Sequence, residues 1–167
     1  MSQDEIVDIV NQNDKVIGTV SKGEAHEKGL LHRTVIAEII GSDGKWTLVK
    51  QAADRQDADQ FVSPVGGHVQ SGETLEDALK REANEEYGLS SDFQFKLIGK
   101  RIFNREVNGK KENHLFILYE IYTDASPVLN AESIAFERYT KEEIQMQIGA
   151  NPEKFGAAFH FVLRAFY

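Results

Sequence analysis

The segment from Gly67 to Leu89 reads GHVQSGETLEDALKREANEEYGL, and its pattern predicts a helix with a marked start and end. Thr74 is suited to cap the amino terminus of this helix, where Asp77 would complete a capping box. Gly88 follows the last periodic residue, at the position where a left-handed C-cap favours glycine, and Leu89 supplies the apolar contact that accompanies such a cap. The spacing therefore predicts a helix that begins after Thr74 and ends at Gly88.

This predicted helix carries acidic residues on the face that should be dry. Its apolar residues recur at helical spacing and are Leu75, Ala78, Leu79, Ala83 and Tyr87. At about 100° per residue, Glu82 and Glu86 fall within roughly 20° of Leu75, and Glu85 lies at the edge of the apolar stripe. Bare carboxylates there are unfavourable unless they take up protons or bind a cation. Hard oxygen ligands suit Mg²⁺ or Mn²⁺, so a divalent cation would resolve the conflict. A solvated charge run, with pairs such as Arg81 and Glu85, is the alternative.

The order of residues along this segment resembles the Nudix box, G-x5-E-x7-R-E-U-x-E-E-x-G-U, in which U is an aliphatic or small apolar residue. The matching residues are Gly67, Glu73, Arg81, Glu82, Ala83, Glu85, Glu86, Gly88 and Leu89. The resemblance implies a loop–helix–loop that binds metal and positions a nucleoside or other organic diphosphate for cleavage. It also implies an α/β fold, the Nudix α/β/α sandwich with a central mixed sheet.

Composition limits the remaining function classes. A chain of 167 residues that is 41% hydrophobic suits a single domain over residues 1–167. The absence of cysteine excludes disulfides and thiolate chemistry. A net charge of -8 argues against duplex nucleic acid or an anionic membrane as a partner, but not against a diphosphate that a metal would neutralise. The acidic start and the lack of a membrane-length apolar run predict a cytoplasmic protein.

The rest of the chain predicts strands and helices in a mixed order, which also fits an α/β sandwich. Strands are expected over residues 5–10, 15–20, 34–40, 46–51, 93–107, 113–122 and 133–139. A short helix or loop is expected over 21–33, and a polar surface loop over 52–65. Helices are expected after Thr140, where Glu143 completes a capping box, and after Asn151, where Pro152 would occupy the first helical position.

Segments outside the box resemble one Nudix branch, the isopentenyl-diphosphate isomerases and related hydrolases. These segments are residues 14–19, 27–33, 67–68 and 112–113. In the isomerases, three histidines and two glutamates hold a divalent metal. By position, His32, His68 and Glu112 match that set, His26 matches at a position whose spacing to His32 is not fixed, and His114 replaces the second glutamate. These residues are therefore candidates for a second metal site or pocket, and surface or backbone-bonded histidines are the alternative.

Isomerase activity itself is not expected. The isomerases use a cysteine and a glutamate to give a proton to one carbon and take one from another. Gly66 occupies the cysteine position and His114 the glutamate position, and the chain has no other cysteine to replace the missing one. The hydrolytic carboxylates of the box, in contrast, are intact.

The resemblance implies metal-assisted hydrolysis of a phosphoanhydride. Glu82, Glu85, Glu86 and the backbone carbonyl of Gly66 are the expected metal ligands. Glu82 is the expected general base, and Glu112 is the alternative.

Arg81 is expected to pair with Glu73 and to orient the carboxylates, as an alternative to an ordinary surface ion pair. Lys50, Arg55 and Arg33 are candidates for phosphate contacts. A Nudix fold that binds a nucleotide without cleaving it is the rival class, and such a sensor would be expected to lose box carboxylates. A homodimer is common in the family, although nothing in the sequence requires one.

Overall fold

The computed structural model describes residues 4–167, which form a nine-stranded mixed sheet with helices on both faces. The strands are β1 Ile6–Val10, β2 Val16–Ser21, β3 His32–Ile40, β4 Trp46–Gln51, β5 Phe61–Val62, β6 Val65–His68, β7 Gln94–Val107, β8 Lys110–Tyr122 and β9 Ser133–Tyr139. The helices are α1 Lys22–Lys28, α2 Leu75–Glu82, α3 Lys141–Ala150 and α4 Ala157–Phe166. A π-helical turn over Ala83–Tyr87 extends α2, and a 3-10 turn over Pro152–Lys154 precedes α4.

Strand β3 organises the sheet. It runs parallel to β8 along its full length, and this register places His32 beside His114. Its other edge pairs antiparallel with β1, β6 and β4 in succession, and Thr34 lies opposite His68 of β6. Strand β7 extends the sheet beyond β8, and β9 and β5 flank β4.

The two faces of β3 define two packed layers. Neighbouring residues of a strand point to opposite faces. Val35, Ala37 and Ile39 therefore pack in one core cluster with the apolar residues of α2. Ile36 packs on the other face against Val162 of α4. The predicted α/β/α arrangement with a central mixed sheet is confirmed.

The box helix begins and ends where the sequence predicts. The Thr74 hydroxyl accepts a hydrogen bond from the Asp77 N–H at 3.1 Å, and Gly88 has a left-handed φ of 81°. Within the described residues the reciprocal bond, in which the Asp77 carboxylate would accept from the Thr74 N–H, is not formed, whereas Thr140 and Glu143 make both bonds at the start of α3. The shorter aspartate side chain accounts for this difference. The last turn is π-helical, which the periodicity does not predict.

Most predicted strands agree with the structure, and three segments differ. Strand β3 begins at His32, earlier than predicted. The segment expected to be a short helix or loop is therefore shorter, and it contains helix α1. The predicted loop over 52–65 contains the short strand β5. The last helix begins at Ala157 rather than after Asn151, because the chain becomes extended at Phe155 after the 3-10 turn.

None of the helices within residues 4–167 is long and apolar enough to cross a membrane. The acidic start from which the lack of a secretory signal is predicted includes residues 1–3, which lie outside the described residues.

A buried carboxyl group lies in the sheet on the side covered by α4. Glu38 of β3 is fully buried, and its Oε2 accepts a hydrogen bond from the Ser63 hydroxyl. Its Oε1 has no partner in the described part of the chain. Burial raises the pKa of Glu38 to about 7. The folded protein therefore favours the protonated form of this side chain near neutral pH.

We expect Glu38→Gln to stabilise the protein above pH 7. The ordinary carboxyl pKa is 4.5, so between pH 4.5 and about 7 the folded state binds more protons than the unfolded state and stability falls as pH rises. The gain in unfolding free energy should be about 1–3 kcal/mol at pH 8 and should vanish near pH 4.5. Urea unfolding at several pH values measures it. The exposed Glu27→Gln variant is the control, and a pH-independent difference would contradict the assignment.

Candidate active site

A cleft of about 740 Å³ opens beside β6 and brings together side chains from distant parts of the chain. One wall carries the three box carboxylates, and residues of α1, β8 and the 51–56 segment lie across from them. The ionisable side chains that line it are Lys22, His26, Arg55, His68, Glu82, Glu85, Glu86, Lys110, Glu112 and Glu132. The cleft therefore joins the predicted box site to part of the predicted histidine set.

Two of the three box carboxylates are withdrawn from solvent. Glu82 is 1% exposed, and burial raises its pKa. Burial, together with the neighbouring charge of Glu82, raises the pKa of Glu86 well above its usual range. Glu86 Oε2 accepts a bond from the Gly66 N–H at 3.2 Å, while Glu85 is half-exposed. A buried and a half-buried carboxylate that lie together and favour protons fit the requirements of a hard divalent cation, which would remove the same repulsion.

Gly67 makes room for Glu82. A β-carbon at Gly67 would overlap the carboxylate of Glu82, whereas one at Gly66 would meet its nearest neighbour at 3.8 Å. The box glycine is thus required by close packing, because no larger residue leaves space for the glutamate against β6.

Arg81 links Glu73 and Glu82 to strand β6 through hydrogen bonds. Its Nε donates to Glu73 Oε2 at 2.8 Å and its Nη2 to Glu73 Oε1 at 3.0 Å, which forms a bidentate pair. Its Nη1 donates to Glu82 Oε1 at 2.6 Å, and Nη2 also reaches the carbonyl of His68 at 3.0 Å. The pairing expected between Arg81 and Glu73 is present, and its extension to Glu82 and β6 exceeds an ordinary surface pair.

The basic residues that line the cleft differ from those predicted to contact phosphate. Arg55 lines the cleft, where it lies 3.2 Å from Glu132. Arg33 does not, because its Nε donates to Asp14 Oδ1 at 2.6 Å, which holds the side chain away from the cleft. Lys50 does not either, because its neighbour Gln51 points into the cleft and alternate strand residues face opposite ways.

Two lysines that the sequence did not single out line the cleft instead. Lys22, the first residue of α1, is 5% exposed, and burial lowers its pKa. Lys110 opens β8. The spacing of Lys22 to His26 places both on one face of a helix, so assigning residues 22–28 to a helix would have revealed the first of them.

Four histidines meet at one end of the sheet, on the face opposite α2. His26 comes from α1, His32 from β3, His68 from β6 and His114 from β8, and one ring nitrogen from each lies within 4.8 Å of the others. The Nε2 atom of His114 is 3.4 Å from that of His26 and 3.3 Å from that of His68. Burial lowers the pKa of all four rings, that of His32 to about 4, so they are neutral at physiological pH. We call this group the histidine quartet.

These residues lie on regular elements. His26 lies in α1, within the segment expected to be a short helix or loop, His32 begins β3, and His114 lies inside the sheet. Glu112 belongs to β8, and within the described residues it is not a member of the metal-sized group, although its position in the isomerase pattern predicts that it is one. Its Oε1 accepts bonds from Arg105 at 2.8 Å and Gln56 at 3.1 Å.

Comparisons with known proteins agree with this geometry. The model of the NUDIX domain matches residues 30–159. An uncharacterised Nudix hydrolase of Nostoc sp. is 32% identical over 160 residues, which cover 92% of each chain. An isopentenyl-diphosphate Delta-isomerase of Aliivibrio fischeri is 31% identical over 169 residues, which cover 96% of this chain and 93% of that protein. The crystal structure of DR0079 from Deinococcus radiodurans has a TM-score of 0.76 at 24% identity, covers 98% of this chain and 100% of its own, and supports the fold alone.

The glycine pair of β6 offers a matched test of the packing around Glu82. We expect Gly67→Ala to lower the free energy of unfolding by about 1–3 kcal/mol, because its methyl group overlaps the Glu82 carboxylate. It should also weaken Mn²⁺ binding, because Glu82 must move. Gly66→Ala places its methyl group in ordinary contact and should change both properties little. Urea unfolding and calorimetric Mn²⁺ titration measure the two effects, and equal behaviour of the variants would refute the assignment.

Proposed function

Because the chain belongs to the Nudix family and is one of its pyrophosphohydrolases, we propose that it cleaves a nucleoside diphosphate or another organic diphosphate with Mg²⁺ or Mn²⁺ as cofactor. The reaction adds water across a phosphoanhydride bond and yields two phosphate products. The observation that carries the proposal is the complete carboxylate set, with buried Glu82 beside half-buried Glu86 in a cleft next to Gly66 and Gly67.

The carboxylates would hold the cation. Glu82, Glu85 and Glu86 supply the side-chain oxygens, and the carbonyl of Gly66 is the fourth candidate ligand. When bound, a divalent cation stabilises negative charge on the phosphate oxygens and acidifies a water molecule. Glu82 is the proposed general base, as the family resemblance implies, because its carboxylate lies in the cleft and is held in one orientation by Arg81 at 2.6 Å. Glu112 is the alternative base, although one of its oxygens already accepts two hydrogen bonds.

Arg81 and Glu73 would act as positioning residues. The guanidinium group is held in a fixed plane by its bidentate pair with Glu73, so its remaining donor can orient Glu82. The bond from Arg81 to the His68 carbonyl fixes the same assembly to β6. This arrangement keeps a buried carboxylate in one orientation before substrate binds.

The basic side chains of the cleft would bind the substrate's phosphates. Lys22, Arg55 and Lys110 line the cleft with the carboxylates. Their positive charge favours a diphosphate at this position in a chain of net charge -8. The proposed substrate is therefore a small diphosphate, rather than duplex nucleic acid or a membrane surface, and the proposed location is cytoplasmic.

The two rival functions fit the residues of the cleft less well than hydrolysis does. An isomerase needs the cysteine and glutamate that Gly66 and His114 replace. A sensor that does not cleave its nucleotide has no need for the three carboxylates that this cleft retains. Hydrolysis, in contrast, would use all three of the retained carboxylates.

Substitutions in the box should separate catalysis from metal binding. We expect Glu82→Gln to lower kcat by about 10²–10⁴-fold, because the amide cannot accept the water's proton. Glu85→Gln should raise the Mg²⁺ concentration needed for half-maximal activity, because one oxygen ligand loses its charge. Glu76→Gln, on the exposed side of the same helix, is the matched control and should retain activity. Phosphate release over a panel of nucleoside and organic diphosphates measures all three.

Undiminished metal-dependent phosphate release in both Glu82→Gln and Glu85→Gln would refute the proposed roles. Tight nucleotide binding without turnover in Mg²⁺ or Mn²⁺ would favour the sensor. Interconversion of the two five-carbon isoprenoid diphosphates would favour the isomerase.

A further inference from the structure

The cleft that holds the box carboxylates is also lined by neutral polar side chains that the proposed chemistry does not use. We propose that these side chains bind the hydroxyl groups of a sugar or another polyol, which is therefore the group attached to the diphosphate. Four of them form what we call the polyol subsite: Gln51, Gln56, Asn130 and Ser133. The inference rests on the proposed hydrolysis and names the class of its substrate.

Contacts between β4 and β9 build one wall of this subsite. Gln51, the last residue of β4, pairs with Ser133, the first residue of β9. The N–H of Ala52 donates to the carbonyl of Glu132 at 2.8 Å, which continues the contact beyond the two strands. The segment that follows β4 and the segment that precedes β9 therefore lie side by side at the cleft.

The side-chain amide of Asn130 has a fixed orientation. Its Oδ1 accepts hydrogen bonds from the N–H groups of Glu132 at 2.8 Å and Ser133 at 2.9 Å. Because a backbone N–H can only donate, the oxygen of this amide must face them, and the nitrogen is directed elsewhere. Within the described residues Nδ2 makes no hydrogen bond. Asn130 therefore presents a donor whose orientation is set before a ligand binds.

The two glutamines add further hydrogen-bonding groups. The Nε2 atom of Gln56 donates to Glu112 Oε1 at 3.1 Å, which leaves its Oε1 as a free acceptor in the described part of the chain. The amide of Gln51 has no hydrogen-bond partner among residues 4–167, so it offers both a donor and an acceptor. A hydroxyl group is itself a donor and an acceptor. Several hydroxyls on one ligand therefore match this mixture of groups.

The lining does not provide a stacking surface for a nucleobase. Among the described residues, no phenylalanine, tyrosine or tryptophan lines the cleft. Stacking on such rings is a common way for proteins to bind bases. The two imidazoles that line the cleft, His26 and His68, pack edge to face with each other, with ring centroids 5.2 Å apart. A base carried by the substrate would therefore gain little from this cleft.

An isoprenoid chain does not fit the lining either. The apolar side chains among the described lining residues are those of Val62 and Ala131, and both are small. A hydrocarbon chain binds by burying apolar surface, and it needs more apolar area than these two side chains provide. It would also cover the amides without pairing their polar atoms, which is unfavourable. The lining therefore favours a hydroxylated group over a hydrocarbon.

Three substrates that share the diphosphate and differ in the attached group test the inference. They are ribose 5-diphosphate, ADP, which adds a nucleobase to the same sugar, and isopentyl diphosphate, which carries a saturated chain. We expect kcat/KM for ribose 5-diphosphate to exceed that for isopentyl diphosphate by about 10²-fold, because two or more hydrogen bonds of up to about tenfold each are lost. ADP should lie within about fivefold of ribose 5-diphosphate, because no ring stacks its base. Phosphate release in Mg²⁺ or Mn²⁺ measures all three.

Gln51→Leu should remove part of this preference. Loss of the amide should lower kcat/KM for ribose 5-diphosphate by about tenfold, mainly through KM, and should not lower it for isopentyl diphosphate. Gln94→Leu, at an exposed residue of β7 outside the cleft, is the matched control and should leave both values unchanged. If Gln51→Leu does not fold, Asn130→Asp keeps the oxygen that accepts two backbone bonds and removes the Nδ2 donor, so it should lower the ratio of the two values.

The outcomes separate this inference from the proposed hydrolysis. An equal loss for both substrates in Gln51→Leu, or a preference of more than about tenfold for ADP or for isopentyl diphosphate, would overturn the inference and leave the hydrolase proposal intact. Cleavage of other organic diphosphates but not of ribose 5-diphosphate would have the same meaning. If no organic diphosphate is cleaved, the proposed function fails, and the inference fails with it.

Discussion

The burial of Glu82 is the constraint on which the rest of the site depends. A carboxylate that is 1% exposed must be protonated, paired or bound to a cation, and each neighbour of Glu82 addresses that requirement. Gly67 removes the side chain that would otherwise occupy its place. Arg81 supplies a charged hydrogen bond, and Glu73 holds the arginine in position. The box residues thus form one physical unit around a single buried group.

The features of the box helix that could be predicted from the sequence are those that depend on residues close together in the chain or on the family pattern. The start and end of the box helix follow from Thr74 and Gly88, because capping involves residues a few positions apart. The pairing of Arg81 with Glu73 follows from the family pattern. The π-helical turn over Ala83–Tyr87 is not encoded in the periodicity, because one extra residue per turn leaves the apolar stripe nearly unchanged over so short a segment.

Interactions that depend on strand register could not be predicted from local sequence patterns. His32 and His114 are 82 positions apart in the chain, and although the family resemblance groups them in one candidate site, only the parallel pairing of β3 with β8 shows that they are neighbours. The same limit applies to Arg33 and Lys50, because their charge makes them candidates for phosphate contacts but neither side chain lines the cleft. Lys22 was missed because a lone lysine at the start of a short helix belongs to no motif.

Strand β6 favours a single register in its pairing with β3. Its consecutive residues Gly67 and His68 serve opposite faces, the first as the gap beneath Glu82 and the second as a member of the quartet. A slip of one residue against β3 would break the quartet in either direction. One slip would turn His68 toward the carboxylate of Glu82 and bring Val69 to the quartet, and the opposite slip would bring Gly67 there in place of a ring. No sheet misaligned by one residue can therefore keep the quartet complete, and this four-residue strand discriminates between registers more strongly than its length would suggest.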